Sequence, residues 1–483
     1  MKKIRETLDS ITSYRVVLYG LCALTLSALI LSALDLINYS DFGSLALSLT
    51  LLLSLCFASN LLLSKLYKVT VNHESSIITG LILFFVLAVP TSTSGWAGVA
   101  FAALAAIASK FIITWRSAHI FNPAAFGVLL ASLVGIGSGA WWIANTALFV
   151  PMLIVGFLVL LKLRRFELFF AFSITSLVLI VIKLYPGSNL VDSAITALTL
   201  YPLLFLGTIM LTEPYTMPAS RNKRLVFGVI VGLIFAANID FGVIAASPHL
   251  ALIIGNLFAF LVTSRAGTHL KLVEKNQLTP TTYNFAFEPD RPIKHAAGQF
   301  IDITLPDVKL DSRGNRRTFT IVSPPSENLI NIGVKFYPGG SQFKNKLQSL
   351  KIGDEIIGSH VGGDFVLPKD TSTPLVFVAG GIGITPFISM ISEIYESNLK
   401  YNLALYYFVS DNKEVAYPDA LRLAKTAGIK VNVRTDRLTD EDIKKHPGAH
   451  FYLSGPPGLV EAYKTQLKKM GIKQIQTDYF SGY

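Results

Sequence analysis

Residues 375–386 read Leu-Val-Phe-Val-Ala-Gly-Gly-Ile-Gly-Ile-Thr-Pro. The apolar run has the length of a buried strand, and Thr385-Pro386 opens a pattern with the spacing of a helix start. Between them, Gly380, Gly381 and Gly383 permit a tight turn and a close backbone approach, and the N–H groups at a helix start attract phosphate. The stretch therefore predicts a strand, a phosphate-binding turn and a helix. An ordinary turn without a ligand is the alternative, because a glycine-rich turn alone is a weak signal.

Further motifs surround this stretch. Residues 452–457 read Tyr-Leu-Ser-Gly-Pro-Pro, and upstream stand Arg317-Thr318-Phe319-Thr320 and Gly339-Gly340-Ser341. Together they resemble the ferredoxin-NADP reductase family, whose hallmarks are a Gly-Gly-x-Gly-x-Thr-Pro loop and an Arg-x-aromatic-Ser/Thr flavin signature. The resemblance covers about residues 267–483. It implies an antiparallel FAD-binding β-barrel over residues 267–368 and an α/β NAD(P)-binding domain over residues 369–483.

The resemblance implies roles for individual residues. Arg317 would bind the flavin pyrophosphate, because a guanidinium binds phosphate in a bidentate manner. Phe319 would face the isoalloxazine ring, and the hydroxyl of Thr320 would hydrogen-bond near its N5 atom. The remaining cofactor-binding candidates are Gly339, Gly340 and Ser341 for the FAD phosphates, and Gly380, Gly381, Gly383, Thr385, Pro386, Gly455 and Pro456 for NADH or NADPH.

Two further candidates concern catalysis. Ser454 stands where the family usually has a cysteine that faces the transferring hydride. Asp478 lies in the tail and would serve as a proton relay or positioning carboxylate, while Tyr479 or Tyr483 would cover the flavin ring. A frayed terminus is the competing interpretation of the tail.

A preference for NADH over NADPH is also expected. The strand over residues 403–409 ends in Ser-Asp-Asn-Lys, near the expected position of the adenine ribose. The carboxylate of Asp411 would repel a 2′-phosphate, although Lys413 lies beside it.

The composition divides the 483-residue chain into two unlike halves. Overall it is 52% hydrophobic and 15% charged, but charge is sparse up to residue 263 and returns at globular density from residue 265. About ten apolar runs have, or nearly have, the ~20 residues that cross a bilayer. They predict a polytopic α-helical membrane domain over residues 1–264. The runs are 16–34, 44–63, 77–89, 97–113, 124–136, 146–161, 166–182, 195–211, 225–237 and 249–263.

The formal net charge of +11 reflects membrane topology rather than nucleic-acid binding. Basic residues cluster at every second boundary of the runs, whereas the alternate boundaries carry Asp35, Asp41, Asp192, Asp240 and one base, Lys183. By the positive-inside rule, both termini and the reductase domain are cytoplasmic, in a multi-pass protein of the inner membrane. The basic set is Lys2, Lys3, Arg5, Arg15, Lys65, Lys68, Lys110, Arg116, Lys162, Arg164, Arg165, Arg221, Lys223, Arg224 and Arg265.

Polar clusters interrupt the apolar half at residues 116–127 and 207–218. Polar groups inside a membrane are costly, and Asn122-Pro123 and Glu213-Pro214 would break helices and free backbone groups to bind a cofactor or an ion. Both segments resemble the NqrB/RnfD family, the flavin-bearing membrane subunits of sodium-pumping NADH:quinone reductase and of the Rnf complex. Residues 74–80 resemble a third stretch of that family. The resemblance implies that Asn122 and Glu213 bind a second flavin or a quinone.

One departure from the family concerns covalent FMN. Family members attach FMN through a phosphoester to the threonine of an Asp-x-x-Ser-Gly-Ala-Thr segment. The corresponding residues 192–199 lack the Ser-Gly-Ala-Thr core and leave Thr196 as the candidate. A noncovalent FMN or riboflavin is the alternative.

The sequence also bears on other classes of function. The haem-binding ferric reductase and NADPH oxidase family needs paired axial histidines, and the membrane half has only His73, His119 and His249, none repeated at a helical interval. Cys22 and Cys56 allow no iron–sulfur cluster, and no metal site is expected. A transporter, or an inert membrane anchor with a fused reductase or sensor domain, remains open, although inverted repeats are not evident. The expected acceptor is a membrane redox centre, a quinone or an extracytoplasmic acceptor.

Overall fold

The computed structural model describes residues 7–8, 11–37, 39–69, 73–115, 118–237, 246–263, 265–305 and 315–478. The chain divides into two compact units, Met1–Thr263 and Ser264–Tyr483. Tyr479 and Tyr483, expected over the flavin, lie outside the described residues, as do Arg116 and Asp240.

The described part of the N-terminal unit is almost entirely helical. Its helices are α1 (Ser13–Ala33), α2 (Phe42–Leu66), α3 (His73–Val86), α4 (Thr93–Ile112), α5 (Pro123–Val134), α6 (Thr146–Leu163), α7 (Phe166–Leu184), α8 (Leu190–Leu200), α9 (Leu203–Met210), α10 (Arg221–Ala236) and α11 (Pro248–Val262). A short antiparallel pair, β1 (Thr114–Trp115) and β2 (Ala118–His119), connects α4 to α5. Each predicted apolar run therefore falls largely within helical structure.

Side chains just before several helices explain where those helices begin. Thr12, Asp41, Ser92, Asn122 and Asn145 each accept a hydrogen bond from a backbone N–H in the first turn of the following helix. Such caps satisfy N–H groups that have no partner within the helix. The polar residues between the apolar runs thus set the helix boundaries.

The number of helices that are able to cross a membrane differs from the count of apolar runs. By length and composition, five described helices are able to cross a membrane: α1, α2, α4, α6 and α7 together with the turn that follows it. The pair α8 and α9 counts as a sixth only if both form one span. Helices α3, α5 and α11 are apolar but shorter, and a 12-residue helix such as α5 is only about 18 Å long against ~30 Å of hydrocarbon. The figure of about ten spans therefore stays a prediction.

The run over residues 195–211 is not one straight helix. It is bent by 54° between α8 and α9, where Pro202 follows Tyr201. Proline lacks the N–H that would continue the helix, so the break falls at this residue. The last five residues of α9, Leu206–Met210, form a π-helical turn.

Helices α4 and α5 pack unusually close together. A Cβ atom added at Gly127 would lie 2.4 Å from the carbonyl oxygen of Ala102, so only glycine allows this approach. The close packing fixes the start of α5, where Asn122 is the cap residue, against α4, which carries Lys110 near its end.

The C-terminal unit begins with a six-stranded antiparallel sheet. Its strands are β3 (Arg265–Gln277), β4 (Thr282–Pro289), β5 (Phe300–Thr304), β6 (Arg316–Thr320), β7 (Ile330–Lys335) and β8 (Glu355–Gly362), in the spatial order β6-β5-β8-β3-β4-β7. A bridge between Ile321 and Ile332 joins the chain just beyond β6 to β7, so the two edges meet and the sheet curls into a barrel. Helix α12 (Gln342–Ser349) buries Phe343 and Leu347 in the barrel core.

A five-stranded parallel sheet follows. Its strands are β9 (Leu375–Gly380), β10 (Leu403–Phe408), β11 (Lys430–Arg434), β12 (His450–Ser454) and β13 (Ile475–Asp478), in the order β11-β10-β9-β12-β13. Apolar residues of α13 (Thr385–Glu396) and α14 (Pro418–Thr426) cover one face, and those of α15 (Asp440–Lys444) and α16 (Pro457–Lys469) cover the other. The strand order reverses direction between β9 and β12, which is the switch point where ligands bind in such sheets.

Hydrogen bonds join the barrel to the parallel sheet. Glu414, in the turn after β10, accepts hydrogen bonds from Lys335 Nζ at 2.9 Å and Thr281 Oγ1 at 2.7 Å. Tyr417 donates its hydroxyl hydrogen to Asn284 Oδ1 at 3.1 Å. These contacts hold the two sheets of the unit in a defined mutual position.

Candidate functional site

The glycine stretch has the predicted structure. Strand β9 ends at Gly380, residues 381–384 form a single tight turn, and α13 begins at Thr385-Pro386. Gly381 has φ +53°, a left-handed conformation that favours glycine. Thr385 is buried, and its hydroxyl donates to the carbonyl of Ile382 at 3.0 Å. The sequence therefore predicted strand, turn and helix correctly.

The two glycine turns touch each other directly. A Cβ atom added at Gly383 would lie 2.5 Å from Gly455 Cα, and one added at Gly455 would lie 3.1 Å from Gly380 Cα. Pro456 then precedes α16. The turns after β9 and β12 thus form one continuous backbone surface at the switch point, open to the close approach of a dinucleotide.

Ser454 and Asp478 lie in one row across the sheet. Ser454, the last residue of β12, pairs in register with Ala379 of β9 on one side and with Asp478 of β13 on the other. The Ser454 side chain is fully buried, and its hydroxyl has no hydrogen-bond partner within the described residues. Burial raises the pKa of Asp478 to about 7. The structure therefore brings together Ser454 and Asp478, two of the three residues predicted for catalysis, while the third, Thr320, lies on β6.

The flavin signature lies on β6. Arg317 is buried, with its guanidinium carbon 5.1 Å from the centre of the Phe343 ring, and Phe319 stacks on the same ring at 5.9 Å. Because α12 begins one residue before Phe343, Arg317 lies near the start of that helix. Phe319 thus packs one face of its ring against Phe343, so that face is not available to a flavin ring.

Thr320 ends β6 with its hydroxyl buried. Within the described residues, Thr320 Oγ1 has no hydrogen-bond partner. Three residues further on, the carbonyl of Ser323 accepts a hydrogen bond from Ser389 of α13 at 2.9 Å. The end of β6 is therefore tied to the helix that follows the nucleotide turn.

The motif Gly339-Gly340-Ser341 leads directly into α12, whose N-terminus is a helix start like that of α13. Gly339 has φ +75° with open space around it, and Ser341 caps α12 by accepting from Lys344 N at 3.3 Å. A buried guanidinium, a helix start and the buried hydroxyl of Thr320 are a donor set suited to a pyrophosphate and a flavin ring. The residues present therefore fit FAD.

In the N-terminal unit, the two predicted polar segments meet. Glu213 accepts hydrogen bonds from Asn122 Nδ2 at 2.8 Å and from Thr216 Oγ1 at 3.2 Å, and its other oxygen lies 3.0 Å from His119 Nε2. Asn122 and Thr216 are buried, whereas His119 and Glu213 are half-buried. Residues 91 positions apart in the sequence thus share one hydrogen-bond network.

The third polar stretch, residues 74–80, is linked to the Asn122–Glu213 cluster through Lys110. Lys110 Nζ donates to the carbonyl and hydroxyl oxygens of Ser75 at 3.0 and 2.9 Å and to Thr79 Oγ1 at 2.8 Å. A cavity of about 70 Å³ is lined by residues of all three stretches, among them Ser75, Thr79, Lys110, Asn122 and Glu213. Since a water needs roughly 10–15 Å³ by this measure, the cavity has room for several waters or for the polar edge of a ligand that enters it.

Sequence analysis missed Asn256. This fully buried residue of α11 accepts from the backbone N–H of Asn122 at 2.8 Å and donates to the carbonyl of Thr216 at 3.2 Å. A single asparagine within an otherwise apolar run was the available signal. Thr196 lies half-buried in α8. Within the described residues, no hydrogen bond joins it to Asn122 or Glu213.

Comparisons with known proteins agree with this description of the C-terminal unit. Residues 269–362 match the family described as the oxidoreductase FAD-binding domain. The flavohemoprotein of Pseudomonas putida is 26% identical over 234 residues, 44% of this chain and 59% of that protein. The phenol hydroxylase P5 protein of Acinetobacter pittii is 28% identical over 232 residues, 43% of this chain and 64% of that protein. A Neisseria gonorrhoeae ferredoxin NADP+ reductase structure with bound FAD and NADP has a TM-score of 0.39 and 20% identity, over 44% of this chain and 98% of that one.

The chain thus contains an oxidoreductase FAD-binding domain, and its curated relatives include flavohemoproteins and the reductase components of oxygenases. It spans less than two thirds of the length of the two curated relatives. This match confirms the expected FAD and NAD(P)H cofactors of the C-terminal unit. The resemblance of the N-terminal unit to the NqrB/RnfD family stays a prediction.

Proposed function

We propose that this chain is an integral membrane flavoprotein that passes electrons from NAD(P)H through FAD to a membrane redox centre or a quinone-type acceptor. In this proposal, the first 264 residues form the membrane domain and the reductase domain faces the cytoplasm. The observation that carries the proposal is the cavity in the apolar N-terminal unit, where three polar stretches distant in sequence converge on Lys110, Asn122 and Glu213.

In the reductase unit, the residues of this chain bind and orient the reactants. FAD, when bound, accepts two electrons as a hydride and releases them singly. Arg317 and the start of α12 would bind the FAD phosphates, and Thr320 would offer its hydroxyl to the flavin ring. The joined turns at Gly383 and Gly455 would hold the dinucleotide, with its nicotinamide on the Ser454 side.

In the membrane unit, the polar cluster would hold the acceptor. Lys110 and Asn122 line the cavity, and their donors are engaged with Ser75, Thr79 and Glu213. An ammonium that exchanged one of these bonds, or the second N–H of the Asn122 amide, would donate to a carbonyl oxygen of a flavin or a quinone. Burying such donors in an apolar helical unit has a free-energy cost, which a ligand that uses them would offset. An inert anchor gives no reason for this cluster.

The test uses the full chain, purified in detergent with FAD bound. NADH oxidation is measured with ubiquinone-1, which the membrane site would reduce, and with ferricyanide, which takes electrons from the reductase unit. The double variant Asn122→Ala with Glu213→Ala should lower the quinone rate at least about tenfold, equivalent to losing roughly 1.4 kcal/mol of stabilisation. The ferricyanide rate should change much less.

The matched control is Asn145→Ala. Asn145 caps α6 as Asn122 caps α5, but it is not among the described residues that line the cavity. Its quinone rate should remain near wild type. Wild-type quinone reduction by the double variant would instead favour a transporter, or a reductase with an inert membrane anchor.

A further inference from the structure

The carboxyl ends of three neighbouring strands lie in one row. Gly380 of β9 pairs in register with Phe408 of β10, and Phe408 pairs with Arg434 of β11. Adjacent strands are ~4.8 Å apart, so the Arg434 backbone lies about 10 Å along the sheet edge from Gly380. Dinucleotides bind across this edge in open α/β sheets.

The position of the dinucleotide's two halves follows from the switch point. A dinucleotide whose nicotinamide half reached the flavin site would place that half on the β12 side, near Ser454. Its pyrophosphate would then lie at the turn containing Gly381 and Gly383, and its adenosine half would extend the other way, over β10 and β11. The ends of these two strands would therefore face the adenine ribose.

Arg434 is the last residue of β11 at this end of the sheet, and carboxylates occupy its guanidinium. Its Nε and Nη2 atoms donate to Asp436 Oδ1 and Oδ2 at 2.9 and 2.5 Å, and its Nη1 donates to Asp442 Oδ2 at 2.6 Å. Asp436 is 65% exposed, whereas Asp442 is 9% exposed and also bonded to Thr439 and Lys445. The hydrogen bonds from Arg434 lower the pKa of Asp436, so this carboxylate is charged at neutral pH.

This arrangement disfavours a 2′-phosphate. An arginine fork is the group that would bind such a phosphate, but here both edges of the fork face carboxylates. A 2′-phosphate would have to displace Asp436 and would meet its negative charge. In the turn after β10, the Asp411 carboxylate accepts a hydrogen bond from the backbone N–H of Lys413 at 2.9 Å.

We propose that Asp436, by occupying the Arg434 guanidinium, makes the reductase selective for a dinucleotide without a 2′-phosphate, that is, for NADH. This inference rests on the proposed NAD(P)H oxidation and assigns its specificity. Asp436 acts through Arg434 and is therefore a positioning residue.

The experiment measures kcat/KM for NADH and for NADPH on the full chain in detergent, with ferricyanide as the acceptor. Wild type should favour NADH by more than about tenfold, and Asp436→Asn should shrink that ratio roughly tenfold, because it removes a repulsive charge and releases the arginine. Adding Arg434→Gln to Asp436→Asn should abolish the gain in NADPH use.

The matched control is Asp370→Asn. Asp370 is an exposed carboxylate before the start of β9, at the amino end of the strands. It accepts hydrogen bonds from nearby Ser372 and Thr373. Its NADH to NADPH ratio should equal that of wild type. Thermal unfolding of each variant shows whether the fold is retained.

A second readout does not depend on turnover. Binding of 2′,5′-ADP and of 5′-AMP to the full chain is measured by calorimetry, and Asp436→Asn should strengthen only the binding of 2′,5′-ADP. A wild-type preference for NADPH, or an unchanged ratio and unchanged 2′,5′-ADP binding in Asp436→Asn, would overturn the inference. If neither dinucleotide reduces ferricyanide but Asp436→Asn binds 2′,5′-ADP more tightly, the specificity inference stands and the proposed oxidation fails.

Discussion

The carboxyl group of Asp478 titrates in an unusual range for an aspartate. Burial raises its pKa from 3.8 to about 7, so between these values the folded chain binds a proton that the unfolded chain does not. Because the pKa of this acid is higher in the folded chain, the protonated carboxyl stabilises the fold fully below pH 3.8. This stabilisation is lost progressively as the pH rises through about 7. At neutral pH, Asp478 is thus able both to give and to accept a proton beside Ser454.

We predict that the melting temperature of the wild-type chain falls more between pH 5.5 and pH 8 than that of Asp478→Asn. The asparagine cannot ionise, so it removes this part of the pH dependence. The measurement is thermal unfolding across that range, with Asp370→Asn as control, because hydrogen bonds from Ser372 lower the pKa of Asp370 and it does not titrate there. Equal slopes for wild type and Asp478→Asn would contradict the prediction.

Some residue contacts agree with the motifs in the sequence, and others were not predictable from it. The positions of Ser454 and Asp478 on adjacent strand ends, and the bond between Asn122 and Glu213, agree with the motifs that singled them out. Asn256 escaped notice because it belongs to no motif and sits alone in an apolar run. The pairing of Arg434 with Asp436 and Asp442 was also not predicted, since it depends on how α15 folds back onto the sheet.

Among the structural elements, the strand, turn and helix around Gly383 are the most sharply determined. The backbones of Gly383 and Gly455 are so close that a methyl group at position 383 would overlap the second turn. Sequence patterns predicted each turn, but not their contact, because the contact depends on the pairing of β9 with β12.

We predict that Gly383→Ala destabilises the chain by about 1–3 kcal/mol, as overpacking of a tight site does. It should also weaken NADH binding, since the turn must move to relieve the overlap. Gly458→Ala is the control, because a Cβ at Gly458, in the first turn of α16, meets no atom within 4 Å. Chemical denaturation and NADH titration of both variants test this, and equal stabilities would argue against the close contact.

Helices of the N-terminal unit were predicted less well than the reductase elements. Hydropathy located the apolar runs, but it could not show that Pro202 divides one of them or that α5 has only 12 residues. Hydropathy measures solvent preference, whereas helix length and bending depend on caps, proline and packing.

At the scale of the whole molecule, the reductase unit and the polar cavity predict two flavins per chain. One would be FAD in the barrel, and the second would be held noncovalently at the Asn122–Glu213 cluster, because residues 192–199 lack the family's attachment core. Flavin fluorescence after acid precipitation of the full chain should therefore find about two flavins in the supernatant.

The variant pair from the quinone assay separates the two sites. Asn122→Ala with Glu213→Ala should retain one flavin, and Asn145→Ala should retain two. A second flavin that stays with the precipitate would show covalent attachment, for which Thr196 is the candidate. One flavin in the wild type would leave a quinone as the ligand of the cavity.

The π-helical turn at Leu206–Met210 has a consequence for insertions and deletions. Such a turn holds one residue more than a regular helical turn, as if a single codon had been added to an α-helix. Losing one residue between Leu206 and Met210 would restore a regular turn and leave the residues beyond it on nearly the same face of the helix, so Glu213 would still face Asn122. Losing one residue from the regular turn before Leu206 would instead rotate everything after it by about 100° and turn Glu213 away from Asn122.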